Sequence, residues 1–151
     1  APSSSCTYDI KFVPAQGGTR TGTILVNVGN DPYSPRKVTA VGIGQWPTVT
    51  PINQNFGAVT VGDSGGGATF TVTNNEPQTL TFSAPAFGGS FPGDYSMFIS
   101  SCGTTLTGKS SCFYTVLFKP GGTGTRDATF IVTGSPDGAS PHTINLYGSG
   151  K

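Results

Sequence analysis

Apolar and polar residues alternate one by one along two stretches of this chain that share much of their sequence. Cys112, Tyr114, Val116 and Phe118 occupy every second position, and so do Cys6, Tyr8, Ile10 and Phe12. A period of two is that of a strand with one face turned to a core. Each run closes on a proline, Pro120 or Pro14, and a turn then leads to Arg126 or Arg20. A second predicted strand places Ala128, Phe130 and Val132 inward in one stretch, and Gly22, Ile24 and Val26 in the other. A third covers 141–148, where Ile144 and Leu146 correspond to Val38 and Ala40.

This correspondence is an internal repeat: residues 4–44 realign on 110–150 without a gap at an offset of 106, with 16 of 41 positions identical. A period of about one hundred residues is the size of an immunoglobulin-like sandwich. The chain therefore divides near Gln45. Residues 1–45 read as the C-terminal half of one such repeat, with three strands, and residues 46–151 as a complete one. In the complete repeat further strands are predicted over 48–52, 56–61, 67–74, 78–84 and 95–99. The expected fold is all-β, an immunoglobulin-like β-sandwich of seven or eight strands separated by Gly, Pro and Asn turns. A piece of roughly 45 residues sits near the size below which a fold needs disulfides, a metal or a partner. The first piece is expected to lean on something else.

Gly44-Gln45-Trp46-Pro47-Thr48 is too short for a flexible linker and contains a proline, so consecutive units should be held semi-rigidly. Trp46, the only Trp, has two readings here. The favoured one is ordinary burial in the core at the start of the first strand; the other is a wedge between units.

Composition narrows the function. With 23 Gly, 12 Pro and only 10% charged residues, the chain favours strands and turns and has the cast of a secreted or surface protein. A net charge of +1 without a basic stripe offers nothing to nucleic acid. No apolar run approaches the ~18 residues that would cross a bilayer, so membrane insertion is not expected. A chain that starts at Ala1 reads as processed, trimmed or excerpted.

Three cysteines sharpen the assignment. Nine residues rich in Gly, Thr and Ser separate Cys102 from Cys112, a loop that can fold back into disulfide range. The predicted bond implies an oxidising compartment; two buried free thiols are the competing reading, and a metal site is weaker because a single His is present. Cys6 is the repeat equivalent of Cys112, and its natural partner would lie about ten residues earlier. A severed disulfide of a longer array is preferred to an intermolecular bond or a free thiol.

Catalytic chemistry is not expected. His142 replaces Arg36 of the first copy and is predicted as an exposed residue at a strand entry, and the Gly-x-Ser-x-Gly spacing of Gly62-Asp63-Ser64-Gly65-Gly66 leads into no helix and so makes no nucleophile elbow. The seven acids are dispersed singly, without calcium-loop or glycosidase spacing. Gly65-Gly66-Gly67 leads into no helix and so builds no phosphate cradle. No cofactor is expected. Arg20 and Arg126 recur at equivalent places, consistent with bonding strand-end carbonyls or pairing an acid. Phe87, Phe91 and Phe98 are predicted as exposed aromatics, either plugging the end of the sandwich or forming a sticky loop for glycan or protein.

Several segments together carry a family resemblance. These are Asn55-Phe56-Gly57-x-Val59-x-Val61-Gly62, Val72-Thr73-Asn74, Cys102-Gly103-x2-Leu106-x-Gly108-x3-Cys112, Val116-x-Phe118-x-Pro120-x3-Gly124-x-Arg126-x-Ala128, and the run from Ser140-Pro141 to Leu146-x-Gly148-x-Gly150. The chain resembles the bacterial choice-of-anchor D modules, which are similar to the ASPM and hydin type (ASH) immunoglobulin-like domains. The resemblance covers 48–150 and, in its second half, 6–44. It implies a seven-stranded sandwich, tandem occurrence in large surface or secreted bacterial proteins, and a paired Cys, and it supplies no catalytic residues. The expected function is a structural repeat unit of an extracellular rod, adhesin stalk or filament whose partners are other copies or neighbouring repeats. A glycan-binding or protein-binding module is the alternative, acting through the loop 84–99 or the loop 102–112, and Trp46, Phe87 and Phe91 are the candidate interaction residues.

Overall fold

Strands recur from Gly18 to Gly150 in the computed structural model, which describes residues 5–14 and 17–151. β1 (Gly18–Val26) and β2 (Arg36–Gly44) form an antiparallel hairpin in which Gly18 faces Gly44 and Val26 faces Arg36. The remaining strands are β3 (Thr48–Thr50), β4 (Asn53–Val59), β5 (Ala68–Thr73), β6 (Leu80–Phe82), β7 (Ala86–Gly88), β8 (Tyr95–Ser100), β9 (Thr105–Leu106), β10 (Ser111–Phe118), β11 (Gly124–Thr125), β12 (Ala128–Val132), β13 (Gly134–Ser135) and β14 (His142–Gly150). One turn of 3-10 helix, Pro92–Asp94, precedes β8.

Two sheets face each other across the core. One has the order β3-β5-β10-β8; the other has β11-β14-β12-β7, with β4 added in parallel to β14. A small third sheet, β13-β6-β9, closes one side. The alternation read from β10 is the burial pattern observed: Cys112, Tyr114, Val116 and Phe118 are buried, as are Ile144 and Leu146 on β14. Phe70 of β5 and Tyr114 of β10 meet Phe130 of β12, with ring centroids 5.7 and 5.5 Å apart. Tyr95 stacks on Phe118 at 4.9 Å. Each fully buried side chain of this size contributes about 1.5–3 kcal/mol, so this interface is the main source of stability. Gly148 makes room for it, since a Cβ there would fall 2.6 Å from the Phe118 ring.

The described part of the first copy departs from expectation. Residues 5–14, predicted as the first of three strands, form no ladder, leaving the two strands β1 and β2. The equivalent strand β10 is bonded on one side to β5 and on the other to β8. Among the described residues the N-terminal segment has neither neighbour, and a strand without a ladder leaves its backbone groups to water.

Candidate interaction surfaces

The joint between the two copies is built around Trp46. Its ring is half-buried and lies outside the sandwich core, against Gly17 before β1 and Gly138 in the turn before β14, where neither glycine has room for a Cβ. Core burial, the reading favoured by the sequence, is thus corrected: the residue packs on backbone from both copies. Asn75 fixes its main chain, donating from Nδ2 to the Trp46 carbonyl at 2.8 Å. Gln78 Nε2 donates to the Pro14 carbonyl, and Lys109 Nζ to that of Asn75. Next to these, buried Asn74 donates from Nδ2 to the carbonyls of Gln78, Leu106 and Thr107, at 2.7, 3.2 and 3.1 Å. One side-chain amide therefore ties the end of β5 to the β9 loop.

The second surface is the inner face of the β1–β2 hairpin. Cys6, Tyr8, Ile10, Ile24, Val26 and Val38 line a groove of about 630 Å³. Tyr8 is 67% exposed, whereas its repeat equivalent Tyr114 is 2% exposed. Cys6 is exposed and free, while Cys102 and Cys112 form a disulfide with Cα atoms 5.0 Å apart.

The loop aromatics are mostly not exposed. Phe87 lies on β7 opposite Phe130, half-buried against the core with centroids 5.3 Å apart. Phe91 is half-buried beneath Arg126, whose guanidinium carbon sits 3.8 Å from the ring centroid. The expectation of open aromatics fails for both because β7 joins the sheet edge and Arg126 covers the ring. Phe98 does stay open at 69% exposure, on the outer strand β8 with exposed Met97 and Ile99.

Charged groups are used for local structure. Arg126 donates to both carboxylate oxygens of Asp94, at 2.5 and 3.2 Å. That bond holds the Asp94 carboxyl below the usual range against the opposing effect of burial. The Tyr95 hydroxyl donates to the Arg126 carbonyl at 2.7 Å. Burial, reinforced by Asp127 and Asp94, pushes Tyr95 up to about 12. In the first copy Arg20 Nη2 donates to the Gly17 carbonyl at 3.1 Å.

His142 is not the exposed residue expected: Nε2 lies 2.6 Å from Asp137 Oδ2, and only 1% of the Asp137 side chain is exposed. The same turn in the first copy has Arg36 Nε donating to Asp31 Oδ2 at 2.8 Å. Both turns carry a second matching bond, from the Tyr33 N–H to Asp31 Oδ1 and from the Ala139 N–H to Asp137 Oδ1. A third matches too: the Val28 N–H donates to Ser34 Oγ and the Gly134 N–H to Ser140 Oγ. The recurrence of Asp31 at Asp137 is the signal that could have located this pairing. Among the described residues no group of three or more His, Cys, Asp or Glu is placed to hold a metal, and no helix is long and apolar enough to cross a membrane.

No family model and no curated protein matches the chain. Solved structures share its fold. A Porphyromonas gingivalis protein of unknown function aligns over 88% of this chain and 66% of its own, with a TM-score of 0.56 and 10% identity. The ASH/PapD-like domain 7 of human CEP192 aligns over 70% of this chain and 84% of its own, with a TM-score of 0.50 and 14% identity. The secreted serine protease VesC of Vibrio cholerae aligns over 64% of this chain at a TM-score of 0.50 and 19% identity; the match spans 21% of the protease. At these identities the likeness is one of fold: an all-β chain similar to immunoglobulin-like and PapD-like β-sandwich domains.

Proposed function

We propose that this chain is a non-catalytic extracellular structural module, a repeat unit of a surface rod, adhesin stalk or self-assembling filament that works by strand complementation and end-to-end stacking. The observation that carries this reading is the recurrence of one local design in both copies, down to the hydrogen bonds of the Asp31 and Asp137 turns. A joint in which Trp46 packs on backbone of both copies supports semi-rigid stacking. The Cys102–Cys112 disulfide and the likeness to part of a secreted protease support an extracellular or periplasmic setting.

The test is to append further copies of residues 46–151 to the chain and record small-angle scattering. A rod lengthens by a constant increment per copy at constant cross-section. A compact particle, or increments lost in a flexible average, would count against the reading. Glycan or protein binding is the second reading, supported by exposed Met97, Phe98 and Ile99 on a strand with an open outer edge. It expects a Phe98→Ala variant to lose retention on a glycan or extracellular-matrix array.

A further inference from the structure

We propose that the open face of residues 5–44 is a docking surface for the front half of another immunoglobulin-like unit, a polypeptide patterned like residues 48–101. The proposal rests on the repeat-module reading and names what completes the first copy.

The surface is already shaped for such an occupant. Ile24 faces Val38 in β1–β2 as Phe130 faces Ile144 in β12–β14, and Val26 faces Arg36 as Val132 faces His142. Phe12 sits on Gly42, where a Cβ would fall 2.6 Å from the ring, just as Phe118 sits on Gly148. Residues 6–12 therefore lie over the hairpin in the way β10 lies over β12 and β14, without being hydrogen-bonded as a strand. The packing of Phe12 on the hairpin is kept, and among the described residues nothing covers the face.

The complete copy shows what the cover is. β5 and β8 flank β10, β7 pairs with β12, and β4 runs parallel to β14; all four come from residues 53–100. An occupant of that pattern would give residues 6–12 two antiparallel neighbours and put its counterparts of Phe70 and Val72 into the groove. Charge agrees with the match. Residues 48–101 carry Asp63, Glu76 and Asp94 with no Lys, Arg or His, whereas residues 5–44 carry Lys11, Arg20, Arg36 and Lys37 against Asp9 and Asp31. A second copy of this chain fits poorly, because its own residues 48–101 already cover its own β10, β12 and β14.

The test fuses a second copy of residues 46–106 directly ahead of Ala1 of the full chain, which keeps the offset of 106, and follows amide hydrogen exchange. We expect exchange over residues 6–12 to slow by about tenfold or more, binding of a hydrophobic dye to fall, and Cys6 to resist a maleimide. The same fusion with Phe70→Asp and Val72→Asp in the appended copy only should show none of these changes. Unchanged exchange over residues 6–12 in the intact fusion would overturn the proposal. So would a parent chain that dimerises in sedimentation with those amides protected, since the occupant would then be a second copy. Exchange at Tyr114 and Phe118 reports separately on the module reading, which fails if the complete copy is unprotected in the parent.

Discussion

Tyr8 and Tyr114 stand at the same place in the repeat, as do Phe12 and Phe118, yet one member of each pair faces water and the other is buried. Local geometry is the same in the two copies: the turn bonded by Asp31 or Asp137, the phenylalanine seated on glycine, the register of the hairpin. What differs is non-local. The second copy has β4, β5, β7 and β8 to pair its strand edges and roof its apolar face, and among the described residues no strand does this for residues 5–14 and β1–β2. A short sequence thus specifies its turns and side-chain seats by itself, while strand pairing and burial depend on distant residues.

The largest expected effect comes from truncating the same side chain in each copy. Phe118→Ala removes a fully buried ring in contact with Tyr95 and Phe56 and is expected to cost about 3–5 kcal/mol in urea unfolding. Phe12→Ala, at a residue 48% exposed, is expected to cost less than about 1 kcal/mol. Comparable losses would mean that residues 5–44 are covered in solution. The disulfide comes next. Reduction of Cys102–Cys112, which closes a loop of sequence separation 10, is expected to lower stability by about 2–3 kcal/mol. Cys6→Ser, at an exposed free thiol, should leave the unfolding midpoint of the monomer in place.

The same division explains what the sequence made legible. Alternation along residues 112–118 marked the buried face of β10 because its neighbours were present to bury it. The identical alternation along residues 6–12 was as clear and did not make a strand, since periodicity records a preference and not the presence of a partner. Phe87 looked like loop because its neighbours are Gly and Pro, although three residues suffice to add β7 to the edge of β12. The recurrence of Arg20 and Arg126 points to a carbonyl or an acid as partner, but Asp94 and Phe91 lie more than thirty positions from Arg126, so no local pattern names them. The position of Trp46 at the start of the first strand suggests core burial, while its seat depends on two glycines, Gly17 and Gly138, far apart in sequence.

That Arg126 pairing gives a smaller test of the comparison, because it ties the back half of the complete copy to an acid of its front half, whereas the described bond of Arg20 stays local, to the Gly17 carbonyl. The Asp94 carboxyl is held low by the Arg126 hydrogen bonds. A group with a lowered folded-state pKa adds stability above its unfolded value, about 4, and loses it as pH falls through the lowered one. Asp94→Asn is therefore expected to cost about 1–2 kcal/mol near neutral pH. The gap from the parent should narrow as the unfolding series is carried into acid, below the ordinary carboxylate range. A gap that stayed constant with pH would show that the side chain acts by packing alone.

The turns provide the smallest and most discriminating contrast. Asp137 accepts from the Ala139 N–H at 2.9 Å and contacts His142 at 2.6 Å with its side chain almost wholly enclosed. Asp31 makes the same backbone bond at 2.9 Å, but its partner Arg36 is 57% exposed, where water competes for both groups. Asp137→Ala is accordingly expected to cost about 1 kcal/mol, and Asp31→Ala to leave the denaturant midpoint unmoved. The outcome decides how far the equivalence of the copies reaches. Only a turn inside a cooperatively folded unit transmits its loss to global unfolding, so equal costs would mean that the hairpin folds together with the sandwich rather than beside it.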